Sequence, residues 1–221
     1  MKKSRFFLLT QIMKTCHKLL VLVIFCVGFS IPAFSVNLTQ KDLDDLSKVE
    51  NYLNSIHTLK SNFIQTASTG ERATGVLFLN RPGRIRVQYD PPSPILLVAN
   101  GAFIIYVDKH LEQISHIPIA ETPLRALIDK DVNLLSWYSI KNIKRGPGTL
   151  RVTLAKKNEL GSSFVRLLFS DKPLQLRQWV IRDQQGIDVR ISLLDMQRGI
   201  KFNPSIFEVD SNQFSPFPDM K

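Results

Sequence analysis

The chain has 221 residues, 44% hydrophobic and 22% charged, with 29 Lys and Arg against 19 Asp and Glu for a formal charge of +10. Ten Gly and twelve Pro are too few for a collagen-like or low-complexity chain. A mean hydropathy of -0.01 with 14 Phe excludes a disordered one.

Residues 1–35 read as a secretory signal peptide. Lys2, Lys3, Arg5, Lys14 and Lys18 are the only charges before Val36, and an apolar run, Leu19–Phe29, follows them. That run is too short for a bilayer, which takes about 20 residues. Ala33-Phe34-Ser35 then supplies small residues at the two positions a signal peptidase reads. Met13 is a second candidate start. Cleavage would remove five basic groups and no acidic one, leaving a domain over 36–221 at +5. Cys16 and Cys26 leave with the leader, so no disulfide, thiol nucleophile or thiolate metal site is expected. Bulky Phe25 precedes Cys26, unlike the small-residue context of a lipid-modified cysteine. The expected location is the periplasm.

Thr39 and Asp42 resemble a capping box. Leu43, Leu46, Val49, Leu53 and Ile56 then recur at helical spacing, with Lys41, Asp44, Asp45, Lys48 and Asn51 on the other side. After Leu59 the period changes to two. Leu59–Ala67, Gly75–Asn80 and Arg84–Tyr89 read as strands, the last two joined by the turn Asn80-Arg81-Pro82-Gly83. Pro91, Pro92 and Pro94 interrupt the ladder. Ile95–Ala99 and Ala102–Asp108 form a hairpin around Asn100-Gly101, and Glu112–Ile117 follows as a short strand. Between Pro118 and Trp137 the alternation lapses, and Thr122-Pro123 opens a short helix carrying Leu124, Leu127 and Ile128. Strands resume at 139–144, 149–155, 163–170, 174–183 and 187–196, and Asn203–Val209 is expected to make a turn and a last strand.

About ten to eleven antiparallel strands with two helical segments imply a mainly β, single-domain protein. A curled sheet with the helices across its concave side would bury both apolar stripes. Val76–Leu79, Ile95–Val98 and Phe103–Val107 are apolar at consecutive positions, so both faces of those strands avoid water. Two ordinary packed cores is the plainer explanation; a ligand cavity is the other.

Catalytic signatures are not found. His57, His110 and His116 do not fall in a zinc-ligand spacing, and no nucleophile elbow or phosphate loop occurs. Neither Asp44-Asp45 nor Asp129/Asp131 suggests a carboxylate pair across a cleft. No enzyme, cofactor, metal or nucleic-acid partner is therefore expected. Lys141, Lys144 and Arg145, with Lys156-Lys157 across the next hairpin, read either as a basic rim for an acidic partner or as ordinary surface.

Several segments occur in an order that goes beyond pattern: Leu59-Lys60-Ser61-Asn62-Phe63-Ile64-Gln65-Thr66, Gly75 through Gly83, Tyr89-Asp90-Pro91-Pro92, Leu97 through Gly101, Leu111-Glu112-Gln113 and Thr122-Pro123-Leu124. Together they resemble the outer-membrane lipoprotein carrier family LolA, strongly over Leu59–Ile128 and more weakly to Val209. The resemblance implies an unclosed β-barrel with an α-helical lid over a hydrophobic cavity. It implies a monomeric periplasmic carrier that takes the acyl chains of lipoproteins from an inner-membrane lipoprotein-releasing ABC transporter to the outer membrane. Whether an outer-membrane receptor takes part stays open. Arg81 matches the arginine that latches the family's lid. Pro118, Thr122, Pro123, Leu124, Leu127 and Ile128 would form that lid, and Phe63, Phe78, Ile85, Val87, Tyr89 and Leu97 would line the cavity. Two departures stand out. Val87 sits where some members have Trp, and the segment after Val209 is short and Pro-rich, which puts the family's C-terminal extension in question. A lipid-sensing domain of an envelope-stress regulator is the alternative function.

Overall fold

The protein is described by a computed structural model covering residues 37–122, 125–157 and 162–209. The expected leader, the lid residues Pro123 and Leu124, and the tail beyond Val209 lie outside the described residues.

Helix α1 (Gln40–Asn54) begins at the expected capping box. The Thr39 hydroxyl accepts the Asp42 N–H at 3.2 Å, and the Asp42 carboxylate accepts the Thr39 N–H at 2.9 Å, so two donors at the helix start satisfy each other's residues. Its buried side is Asp45, Leu46, Val49 and Leu53. Periodicity placed Asp45 in solvent and Leu43 in the core, yet Asp45 is 8% exposed and Leu43 38%. The reversal has a chemical cause: Arg145 and Lys48 reach Asp45 and make its partial burial tolerable.

Eleven strands follow: β1 (Thr58–Ala67), β2 (Arg72–Asn80), β3 (Arg84–Tyr89), β4 (Ile95–Asn100), β5 (Phe103–Asp108), β6 (Gln113–Pro118), β7 (Tyr138–Gly146), β8 (Thr149–Lys156), β9 (Phe164–Asp171), β10 (Leu174–Arg182) and β11 (Asp188–Arg198). They form one antiparallel sheet in the order β6-β5-β4-β3-β2-β1-β11-β10-β9-β8-β7. The sheet stays unclosed, with β6 and β7 as its edges. Those edges are consecutive in the chain. Between them run a 3-10 turn (Ile119–Glu121), α2 (Arg125–Ile128) and α3 (Leu134–Trp137).

Laid flat, eleven strands would span about 48 Å at about 4.8 Å per step. A single hydrophobic cluster nevertheless draws on β1 to β5, β7 to β11, α1 and the 126–134 segment. The sheet must therefore curl, and the helices cover its inner face. Among the described residues, no helix is long and apolar enough to cross a membrane.

The outer face of β2 to β5 is covered as well. Leu96, Val98 and Val107 form a second, smaller cluster with Phe207, joined by Phe78, Phe202 and Ile206. Phe202 stands edge-to-face with both Phe78 and Phe207, each at 5.9 Å, and Arg86 Nη1 donates to the Ile206 carbonyl at 3.0 Å. Two covered faces account for the consecutive apolar residues of these strands. The expected last strand is instead a 3-10 turn, Pro204–Phe207, started by the Asn203 side chain.

Among the described residues, the Tyr52 hydroxyl is the one buried side-chain polar atom without a hydrogen-bond partner. Its ring packs edge-on against Phe169 at 5.8 Å. A desolvated hydroxyl with no partner costs stability. Tyr52→Phe is therefore expected to raise the stability by about 1 kcal/mol, read as a higher urea midpoint with an unchanged slope. A lower midpoint would show that the hydroxyl has a bound partner.

Candidate functional site

The segment between β6 and β7 lies over the inner face and is tied down at a few points. Arg81, in the β2–β3 turn, is the centre of them. Its Nη1 donates to the carbonyl of Leu53. Its Nε donates to the Asp129 carbonyl at 2.9 Å, and its Nη2 to the carbonyls of Asp129 and Lys130 and to Asn54 Oδ1. One guanidinium thus joins the last turn of α1 to the residues just after α2. Carbonyls at a helix C-terminal end have acceptor capacity to spare and carry partial negative charge; that of Leu53 also accepts the Ile56 N–H at 3.2 Å. Burial lowers the Arg81 pKa, while Asp129 and Asp131 oppose the shift; an arginine remains a cation throughout.

Neighbouring contacts complete the tie. Asn54 Oδ1 accepts the Val132 N–H at 2.8 Å, and its Nδ2 donates to the Val132 carbonyl at 3.2 Å. Glu50 accepts the Leu134 N–H at 2.6 Å. Gly83 donates its N–H to the Ile128 carbonyl at 2.7 Å, from a backbone φ of +74° that favours glycine.

The other end of α1 is held by charge. Arg145 of β7 pairs through Nη2 with Asp42 and through Nε with Asp45, both at 2.7 Å. Hydrogen bonds from Thr39 and Arg145 lower the Asp42 pKa to about 2. At Asp45 burial pushes the pKa up, and contacts with Lys48 and Arg145 more than offset it, leaving it lowered. Arg145 is therefore occupied within the chain and is not a free member of the basic rim the sequence suggested.

Beneath this cover, among the described residues, Leu, Ile and Trp side chains pack closely on one another. A cavity of about 20 Å³ remains among residues that include Leu53, Ile56, Leu79, Ile85, Leu127 and Trp179, room for about one water molecule. Of the residues expected to line it, Ile85 does so, and Phe63, Val87, Tyr89 and Leu97 share its cluster on the inner face. Phe78 does not. It stands on the outer face against Phe202, and its neighbours Leu77 and Leu79 point inward instead. Val76-Leu77-Phe78-Leu79 offers four apolar residues in a row, so alternation could not choose the face.

In the cover itself, Ile128 is wholly buried and Leu127 packs on the cluster. Thr122 closes the preceding turn by donating its hydroxyl to the Ile119 carbonyl at 2.9 Å. Pro118 ends β6, paired with Phe103. Asn54 and Glu50 were missed at the sequence level, because polar residues on a helix read as solvent-facing. Leu176 and Trp179 were missed for another reason. A register shift between Leu176 and Gln178 turns both inward at a spacing of three.

Comparison with known proteins finds sequence relatives over most of the chain. A family model for the outer membrane lipoprotein carrier protein LolA matches residues 54–210. An uncharacterized protein of Rickettsia prowazekii is 24% identical over 198 residues, covering 89% of this chain and 89% of the relative. The outer-membrane lipoprotein carrier protein of Methylococcus capsulatus is 26% identical over 207 residues, covering 90% and 92%. That of Azotobacter vinelandii is 27% identical over 197 residues, covering 84% and 89%. A crystal structure of a LolA superfamily protein from Nitrosomonas europaea aligns at a TM-score of 0.45 with 7% identity, over 74% of this chain and 97% of that one.

Two outcomes are expected from these ties. Arg81→Leu removes donors from several carbonyls at once, and a hydrogen bond from a charged group contributes about 1.5–3 kcal/mol. Native-state exchange of the Gly83 and Val132 amides should accelerate by about 10- to 100-fold, while amides between β8 and β9 keep their protection. Equal acceleration at both places would show global unfolding and not release of the cover. The second outcome concerns acid. A carboxylate with a lowered pKa stabilises the fold above its unfolded value of about 3.9, and that contribution is lost as pH falls toward about 2 at Asp42. The stability gap between the wild type and Arg145→Gln should be constant above pH 5 and shrink between about pH 4 and 2; a gap that widens in acid would contradict the assignment.

Proposed function

We propose that this chain, which belongs to the outer membrane lipoprotein carrier protein LolA family, carries lipid-modified proteins by sheltering their acyl chains between the curled sheet and its helical cover. The observation that carries this reading is a cover that spans the two edges of an unclosed sheet, over an interior of Leu, Ile, Val, Phe and Trp side chains, and is held by a small set of polar contacts around Arg81. The chain needs no covalent chemistry for this task; it needs an apolar interior that opens and closes.

Energies make the arrangement workable. Burying roughly 14 methylenes yields on the order of 11 kcal/mol at about 0.8 kcal/mol each. Retention at that strength would block delivery. Opening the cover opposes it, because the Arg81 contacts break and apolar surface meets water. Arg81 supplies a few kcal/mol of that opposition at about 1.5–3 kcal/mol per charged hydrogen bond, enough to bias a two-state cover without setting the whole affinity. The setting this reading assigns is the periplasm. The cargo arrives there from an inner-membrane ABC transporter and leaves for the outer membrane.

Incubation of the purified protein with inner membranes, their transporter and a radiolabelled lipoprotein tests the reading. A soluble one-to-one complex is expected, with release to outer membranes. Arg81→Leu should bind cargo while empty more readily and hand it on less completely. Lipoprotein that stays in the membrane pellet, or a lipid product released without retained protein, would overturn the carrier function.

A further inference from the structure

The inner face of the sheet changes character along its length. Near Arg81 it is made of Leu and Ile. At the opposite end, β1, β3, β4 and β5 place Gln65, Tyr89, Ile95 and Tyr106 on that same face, as the pairings Gln65–Ala73, Gly75–Tyr89 and Leu97–Tyr106 require. With Arg72 and Asp90 they line an open groove of about 710 Å³, within the size range of sites that hold small molecules, about 300–1,000 Å³.

Phe63 marks the border between the two regions. It is 2% exposed and meets Tyr89 edge-to-face at 5.2 Å. Gly75, its partner across β2, leaves room for the ring; a Cβ there would stand 2.8 Å from it and 2.2 Å from the Gln88 carbonyl. On one side of this contact the lining is hydrocarbon. On the other, hydroxyl, amide and carboxylate groups stand among Ala73, Ile95 and two prolines.

The polar groups of the groove are oriented. The Tyr89 hydroxyl donates to Gln65 Oε1 at 2.7 Å, which fixes the amide and leaves its NH2 as a donor. Thr74 donates to the Asp90 carboxylate at 2.7 Å. Among the described residues, the Gln65 NH2 and the Tyr106 hydroxyl have no hydrogen-bond partner. Burial raises the pKa of both Tyr89 and Tyr106, so both stay hydroxyls at neutral pH. The charged groups at the groove are Glu71, Arg72 and Asp90, two acids and one base, which disfavours an anionic headgroup.

We infer that this groove is a binding subsite for the first backbone amides of the polypeptide attached to the acyl chains. The inference rests on the carrier reading, because a ligand whose hydrocarbon lies under the cover must place its polar part where the apolar lining stops. Amide N–H and C=O groups match the hydroxyl, amide and carboxylate partners available there. Such contacts read backbone and not side chains, so one groove serves cargoes of different sequence. The lipid tails account for retention in the interior, and the groove discriminates a lipid-bearing polypeptide from a bare lipid of the same chain length.

The full chain would be titrated with two fluorescent ligands, a diacylglyceryl-cysteinyl tetrapeptide and the diacylglycerol lacking the peptide. Wild type should bind the lipopeptide more tightly. Gln65→Leu/Tyr106→Phe should weaken lipopeptide binding by about tenfold and leave diacylglycerol within about twofold. If the double variant melts early, Tyr106→Phe alone decides, with an expected loss of about threefold for the lipopeptide only. Loss of both ligands in parallel, or of neither, would overturn the subsite, as would a wild type that gains nothing from the attached peptide. A wild type that binds neither ligand would instead remove the carrier reading itself.

Discussion

Arg81 donates to the carbonyls of Leu53, Asp129 and Lys130 and to the Asn54 side chain, so one cation in the β2–β3 turn joins the end of α1 to the residues after α2. All of these acceptors are neutral. The hydrogen bonds made in this way persist as carboxylates and imidazoles change charge, and only the coulombic attraction of Asp129 and Asp131 for the guanidinium is lost in acid. The tie also costs little to re-form, because these carbonyls are held in place at the ends of α1 and α2 with acceptor capacity to spare. The Asp42–Arg145 contact at the other end of α1 depends on an ionised carboxylate and fails only in strong acid. The helix is pinned by two chemistries with different conditions of failure.

Those two pins sit on opposite halves of the sheet. Arg81 belongs to the β2–β3 turn and Arg145 to β7, an edge strand. α1 therefore works as a strut between halves that pair with each other only through β1 and β11, and the 119–137 segment adds the covalent connection between β6 and β7. A closed barrel would satisfy both edges with backbone hydrogen bonds and could not open. Replacing that seam with a strut and a cover leaves the closure dependent on a handful of side chains, which is the scale of energy a bound chain of methylenes can exchange.

Much of this was legible in the chain, where one physical signal acted alone. Thr39 and Asp42 announced the helix start, Asn100-Gly101 the hairpin, and the lapse of alternation after Pro118 the cover. Legibility failed where two signals competed. Phe78 and its neighbours are apolar on both faces because residues 202–207 cover one of them, and no window of local sequence contains that information. Leu176 and Trp179 both turn inward only because of a register shift. Asp45 is buried because of a partner 100 residues away. Arg81 was located by family resemblance and not by pattern, since an Arg-Pro turn is ordinary until its acceptors are known. Gln65 and Tyr106 drew no notice because polar residues on alternating strands normally face water.

For a lipid carrier of the proposed kind, energetics favour an interior packed against itself when empty. An empty apolar void of about 400 Å³, a modest ligand pocket, would cost on the order of 10 kcal/mol at about 24 cal/mol per Å³. Native domains have only about 5–15 kcal/mol of stability in total, so a permanently hollow protein would scarcely remain folded. On the proposed reading, an empty carrier whose Leu, Ile and Trp side chains pack on one another, as they do around the cavity of about 20 Å³, would avoid that cost. On the proposed carrier reading, cargo would then replace contacts the protein makes with itself and would not enter a waiting space. The net affinity is the difference between two similar apolar burials, and this is how strong hydrophobic binding can coexist with release. On that reading the polar ties around Arg81 would act on that small difference, and a few kcal/mol there would suffice to decide the direction of transfer.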